Sequence, residues 1–146
     1  MKTRLLHQAA GGQRSYAAIL ETGDEALACL GALAREERID GAAITGIGAF
    51  SLAVLAYFDW ETKAYVERAF EEQLEVASLI GDIAADEAGA PALHVHLVLG
   101  RSDYSAIAGH LVRGLVRPTL ELIVTESPAH LRRRKDPETG LALISL

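Results

Sequence analysis

The chain has 146 residues, half of them hydrophobic, and its 14 Lys and Arg against 20 Asp and Glu give a formal charge of −6. That length suits one domain with its own core, and the acidic balance opposes binding to phosphate backbones except through a local basic cluster. A single cysteine excludes an internal disulfide and fits a reducing compartment, and with three Phe and one Trp the core must be built from Leu, Ile, Val and Ala.

Residues 1–14 read as an N-terminal arm ending near Gly11-Gly12, and 15–146 as one domain. The first residues lack an apolar stretch long enough for a secretion signal. Residues 15–20 carry β character from Tyr16 and Ile19. Thr22 or Asp24 is placed to cap a helix, with Asp24 and Glu25 at its positive end. Leu27, Leu30, Leu33 and Ala34 mark one helical face, Arg35-Glu36-Glu37-Arg38 marks the exit to solvent, and Gly41 is the stop. Cys29, among those leucines, reads as a small buried hydrophobe. Residues 41–58 carry no formal charge, a length at the lower edge of a membrane span. Gly41, Gly46 and Gly48, polar Thr45 and Ser51, and acidic ends without a basic flank favour two buried strands, 43–48 and 50–59, around a glycine hinge. A soluble, cytoplasmic protein is therefore expected.

Asp59-Trp60-Glu61-Thr62-Lys63 forms a polar tip between 52–58 and 64–70, which predicts a hairpin. Residues 74–80 read as a strand closed by Gly81-Asp82, and 86–91 as a turn-rich loop. A histidine-bearing strand at 93–100 follows, then a turn at 101–104, a return through Gly109-His110 and another apolar strand at 118–125. Residues 131–135 and 141–146 flank a turn at Asp136-Pro137-Glu138-Thr139-Gly140. One helix and about seven or eight strands predict an α+β domain, a mainly antiparallel sheet with the helix packed on it.

The chemistry concentrates in Leu93-His94-Val95-His96-Leu97 and Gly109-His110-Leu111. Period two puts His94 and His96 on one face of a strand. A third imidazole from His110 would complete an all-nitrogen set with an open fourth position, which suits Zn²⁺ or a similar divalent ion. The competing reading is a pair of half-buried strand histidines bonded to backbone. Glu75 and Glu121 interrupt apolar strands; each either faces solvent or turns inward to support the histidines or a metal-bound water. Arg113 and Arg117 follow His110 and could hold a small anionic ligand beside a metal, or be surface charge. Arg132-Arg133-Arg134-Lys135 is the one basic cluster, read as a solvated edge strand.

The ordered blocks Thr45-Gly46-Ile47-Gly48-Ala49, Tyr57-Phe58-Asp59, Leu74-Glu75-Val76-Ala77-Ser78-Leu79-Ile80-Gly81, Leu93-His94-Val95-His96 and Ala108-Gly109-His110-Leu111 resemble the plant and prokaryote conserved (PPC) domain over about 15–144. The resemblance implies an α/β domain with a mainly antiparallel sheet that assembles as a homotrimer. It also implies a metal held through His94, His96 and His110, as in some prokaryotic members. Plant members join this domain to AT-hooks that enter the minor groove of A·T-rich DNA. No Arg-Gly-Arg-Pro core occurs here, which marks the chain as similar to stand-alone prokaryotic members. Gln73-Leu74-Glu75-Val76 replaces the Arg-Phe-Glu-Ile favoured in plants, and Ala108-Gly109 replaces a glycine pair. Three roles stay open: a trimeric metal-binding or small-ligand module, a metal-dependent enzyme acting on a small anionic substrate, and a DNA-binding regulator. No nucleophile triad, P-loop or dinucleotide fingerprint is present.

Overall fold

Period-two alternation of small and branched apolar residues dominates the chain, and the backbone answers with strands. The structure, a computed structural model, describes residues 1–127 and 131–145. In chain order the elements are β1 (Lys2–Gln8), β2 (Arg14–Glu21), α1 (Ala26–Glu36), β3 (Gly41–Asp59), β4 (Ala64–Phe70), β5 (Leu74–Ala85), β6 (Pro91–Gly100), β7 (Ala106–Glu126), β8 (Arg132–Lys135) and β9 (Ala142–Ser145). The expected α+β class, with one helix on a largely antiparallel sheet, is what the chain adopts. Leu146, the end of the last expected strand, lies outside the described residues.

All nine strands join one sheet in the order β1-β2-β7-β3-β5-β8-β9, with β4 on β3 and β6 bridging β5 and β7. The ladders are antiparallel apart from a single parallel bridge between Ala85 of β5 and Arg132 of β8. Because β3 pairs with both β5 and β7 while β6 pairs with the same two strands, the circuit β3–β5–β6–β7 closes on itself. Closure leaves these four strands fewer free edges. Helix α1 lies against β6 and β7, burying Leu30, Leu33 and Ala34 with Leu20, Phe50, Leu97, Leu111 and Leu120. Full burial of one such Leu or Phe is worth ~1.5–3 kcal/mol. Among the described residues no helix is long and apolar enough to cross a membrane, and the uncharged 41–58 run is part of strand β3.

Several local expectations need correction. Half of the N-terminal arm, Lys2–Gln8, is edge strand β1, paired with β2 from Lys2↔Ile19 to Gln8↔Arg14. The helix cap is Glu25, whose carboxylate accepts from Leu27 N at 3.3 Å and Ala28 N at 2.7 Å, and also from Gly114 N of β7 at 3.0 Å. A longer acidic side chain thus does the work of a short cap and ties the helix start to the sheet. Asp24 instead accepts from Glu21 N. Residues 43–48 and 50–59 are one strand, with a register shift between Gly46 and Gly48 in place of a hinge. Likewise 118–125 is the end of the 21-residue β7, although Pro118 reads as a strand start. Strand β5 runs past Gly81-Asp82 to Ala85, because the glycine serves close strand approach and not a turn. Cys29 is only partly buried, at the rim of the core, and burial raises its thiol pKa.

Candidate metal centre

Alternation along β6 decides where the histidines point. Val95, Leu97 and Leu99 are buried, and Leu93 reaches towards Gly31 of the helix, so the even-numbered side chains of this strand leave the core on the opposite face. Register then selects their neighbours. His96 stands directly opposite His110 on β7 and Ile80 on β5, and His94 stands opposite Asp82. Directly paired residues share a face with Cβ atoms ~4.5–5.5 Å apart, so three imidazoles and one carboxylate meet on one patch.

Two glycines make that patch possible. A Cβ at Gly81 would lie 2.5 Å from the carbonyl oxygen of His94, and one at Gly109 would lie 3.0 Å from that of Ala56. Both positions therefore let neighbouring strands approach closely beside the histidines.

One ring nitrogen from each of His94, His96 and His110 lies within 4.8 Å of the other two. The Nε2 atoms of His94 and His96 are 3.1 Å apart, and ring centroids are separated by 5.0, 5.1 and 5.3 Å. Tetrahedral coordination with metal–nitrogen bonds of ~2.0–2.1 Å sets ligand nitrogens ~3.4 Å apart, so small side-chain adjustments bring all three onto one ion. Burial, then the neighbouring histidine charges, then Arg133 push the His110 pKa down to about 4. Burial and the Arg133 charge also lower that of His94, against a smaller opposing pull from Asp82. Both rings are neutral at pH 7, the form that binds a cation. His110 Nδ1 is buried with no hydrogen-bond partner among the described residues. An orphaned nitrogen within a cluster of three imidazoles fits a divalent metal, with no described protein group occupying a fourth position. Tyr65 of β4 stacks on the His110 ring at 5.0 Å and fixes its plane.

The structure does not bring the other sequence candidates into this cluster. Glu75 pairs with Gly100, four residues and ~13 Å of strand beyond His96. Glu121 sits eleven residues along β7 from His110 and pairs with Ile47. Both are exposed and line a groove with Ile47, Ala49, Ala77 and Thr119. Arg113 is exposed three residues past His110, and Arg117 donates from Nε to Gln73 Oε1 at 2.9 Å. Of the two faces the sequence left open for Glu75 and Glu121, both take the exposed one, and distance along the strand separates them from the histidines.

Sequence reading missed Asp82, Tyr65 and Arg133. Asp82 falls after Gly81 and looked like a turn, and Tyr65 follows a hairpin tip. Arg133 belongs to the basic run assigned to a solvated edge strand, yet it is 5% exposed and its Nη2 donates to Asp82 at 2.5 Å. Arg132, Arg134 and Lys135 are exposed and Arg133 alone of the run is buried; alternation would pair Arg133 with Lys135 on one face, so no local signal singles it out.

Comparison with known proteins agrees with this fold. The Plants and Prokaryotes Conserved (PCC) domain matches residues 7–128. A candidate DNA-binding protein from Bacteroides thetaiotaomicron is 31% identical, with a TM-score of 0.87 over 98% of this chain and 96% of that one. A metal-containing protein from Archaeoglobus fulgidus is 31% identical, with a TM-score of 0.83 over 90% and 93%. A PPC protein from Pyrococcus horikoshii is 29% identical, with a TM-score of 0.84 over 99% and 95%. No curated protein matches the chain. Sequence match and fold agree over nearly the whole length, and the chain belongs to the Plants and Prokaryotes Conserved domain family, also written PPC.

Proposed function

We propose that this protein is a homotrimeric metal-binding module in which His94, His96 and His110 hold Zn²⁺ or a similar divalent ion with a coordination position left open. The observation that carries this reading is three imidazole nitrogens within 4.8 Å of one another, one ring with a buried, unpartnered nitrogen. Support comes also from the Archaeoglobus relative, which is described as metal-containing. A divalent ion held by His94, His96 and His110 would supply Lewis acidity there. The chain's own residues supply three imidazole donors, a stacked Tyr65 that holds one of them, and an Arg133–Asp82 pair beside them.

The trimer is supported by family membership and by apolar surface on the histidine face of the sheet. Ile47 is 61% exposed, Ile80 58% and Ile123 43%, and all three line one groove of about 500 Å³. An open apolar surface of this kind favours association between subunits. The relatives described as candidate DNA-binding proteins raise a second reading. Here the −6 charge opposes it, and one residue of the single basic run is buried in an ion pair. The test is elemental analysis of untagged protein. One equivalent of divalent metal per chain in the wild type, lost in His96→Ala with the fold retained, is expected. Wild-type protein that binds no metal above background would overturn the reading.

A further inference from the structure

The β8–β9 hairpin lies past residue 128, where the family match ends. It walls a cavity of about 200 Å³ whose opposite side is formed by His94, His110 and Tyr65. Arg133 lines this cavity while being 5% exposed. Its Nη2 donates to Asp82 Oδ1 at 2.5 Å and its Nη1 to the Ala142 carbonyl at 2.8 Å. Its Nε–H is buried and without a partner among the described residues. A buried donor of a charged group left unpaired is costly, and a planar guanidinium is matched to planar carboxylates.

Resting on the metal reading above, we infer that this cavity binds a short-chain aliphatic monocarboxylate, recognised by Arg133 beside the three-histidine metal. Charge explains why the metal is needed. Asp82 offsets Arg133 in an ion pair, so that pair alone offers an anion no net attraction. A divalent ion adds two positive charges next to the guanidinium. Size and polarity select the ligand's body. A cavity of about 200 Å³ is smaller than the ~300–1,000 Å³ of drug-sized pockets, and Ala92, Leu93, Leu141 and Leu143 line it with carbon. A phosphate dianion would lose its hydration against those apolar walls without enough donors to replace it, whereas a carboxylate carries an alkyl tail that they can cover.

The test uses the full chain loaded with Co²⁺, with butyrate and inorganic phosphate as probes. Visible absorption of the bound cobalt and titration calorimetry report binding, and elemental analysis reports cobalt content. Butyrate is expected to change the cobalt spectrum saturably, to bind at least tenfold more tightly than phosphate, and to give no heat with the metal-depleted protein. Arg133→Lys keeps a cation for Asp82 but loses the fork, and should weaken butyrate about ten- to hundredfold while retaining cobalt. Leu143→Trp fills the cavity from its exposed side, leaves Arg133 in place, and should abolish the butyrate response. Cobalt bound in the wild type with no response to butyrate would overturn this inference alone, as would wild-type butyrate affinity in either variant or phosphate binding as tightly as butyrate. Failure to bind cobalt at all would overturn the metal reading and this inference with it.

Discussion

Replacing Gly81 by alanine probes the contact that brings β5 and β6 together beside His94. The added Cβ would meet the His94 carbonyl oxygen at 2.5 Å, Val95 Cγ2 at 3.0 Å and Val95 Cα at 3.1 Å, against ordinary contacts of 3.4–4 Å. Two of these three atoms are backbone, so relief requires the strands to separate by about 1 Å where Asp82 and His94 face each other. Overpacking of this kind costs ~1–3 kcal/mol, which for a chain of this size lowers Tm by ~2–4 °C per kcal/mol. The same movement displaces His94 from its partners, and a 1 Å error in a ligand position should weaken divalent-metal affinity by about tenfold or more. Gly109→Ala is the internal comparison. Its nearest contact is 3.0 Å, to the Ala56 carbonyl, so a few tenths of an ångström suffice and the cost should be less than half as large. Urea unfolding and metal titration on both variants provide the measurement. Gly81→Ala with wild-type stability and metal affinity, or Gly109→Ala as the more damaging change, would refute the reasoning.

Stability of metal-depleted protein should fall with acidification. His110 has a folded-state pKa of about 4 against ~6.5 unfolded, so between those values the unfolded chain binds the extra proton. The contribution is therefore present above pH ~6.5 and lost by about pH 4, worth up to about 3 kcal/mol, with His94 acting in the same direction; denaturant midpoints that do not change over this range would contradict it. Light scattering should give three times the 15.6 kDa chain mass, and a monomer at micromolar concentration would defeat the trimer. Duplex DNA should bind only weakly at physiological salt, with a Kd of ~10⁻⁴–10⁻⁶ M and little sequence preference. Tight binding that survives charge reversal of Arg132, Arg134 and Lys135 would reveal a recognition surface elsewhere.

The fold class and the hairpins were legible because alternation and turn residues are local signals. The His94–His96 pair was legible for the same reason, since two residues two apart share a strand face. Its link to His110 needed register, and the sequence carried that only as a glycine before the third histidine. Boundaries failed where one residue type serves two purposes. Gly81 looks like a turn and acts as a close-approach site, and Pro118 looks like a strand start but lies within β7. The acidic and basic candidates Glu75, Glu121, Arg113 and Arg117 stand away from the histidines, a distance the sequence did not show, because a charged residue in an apolar strand does not reveal how far along the sheet it stands. Asp82 and Arg133 were missed because their importance lies in a 51-residue separation closed only by the β5–β8 contact, which no local pattern encodes.

The central claim is that one divalent ion is bound by three specific imidazoles, and X-ray absorption at the metal edge of zinc-loaded protein tests it most directly. The expected result is three nitrogen scatterers with imidazole signatures at ~2.0–2.1 Å and a fourth, exchangeable light-atom ligand, with one imidazole signature lost in His94→Ala and His110→Ala and the metal itself lost in His96→Ala. A spectrum of oxygen-only coordination, or one unaltered by all three substitutions, would contradict it.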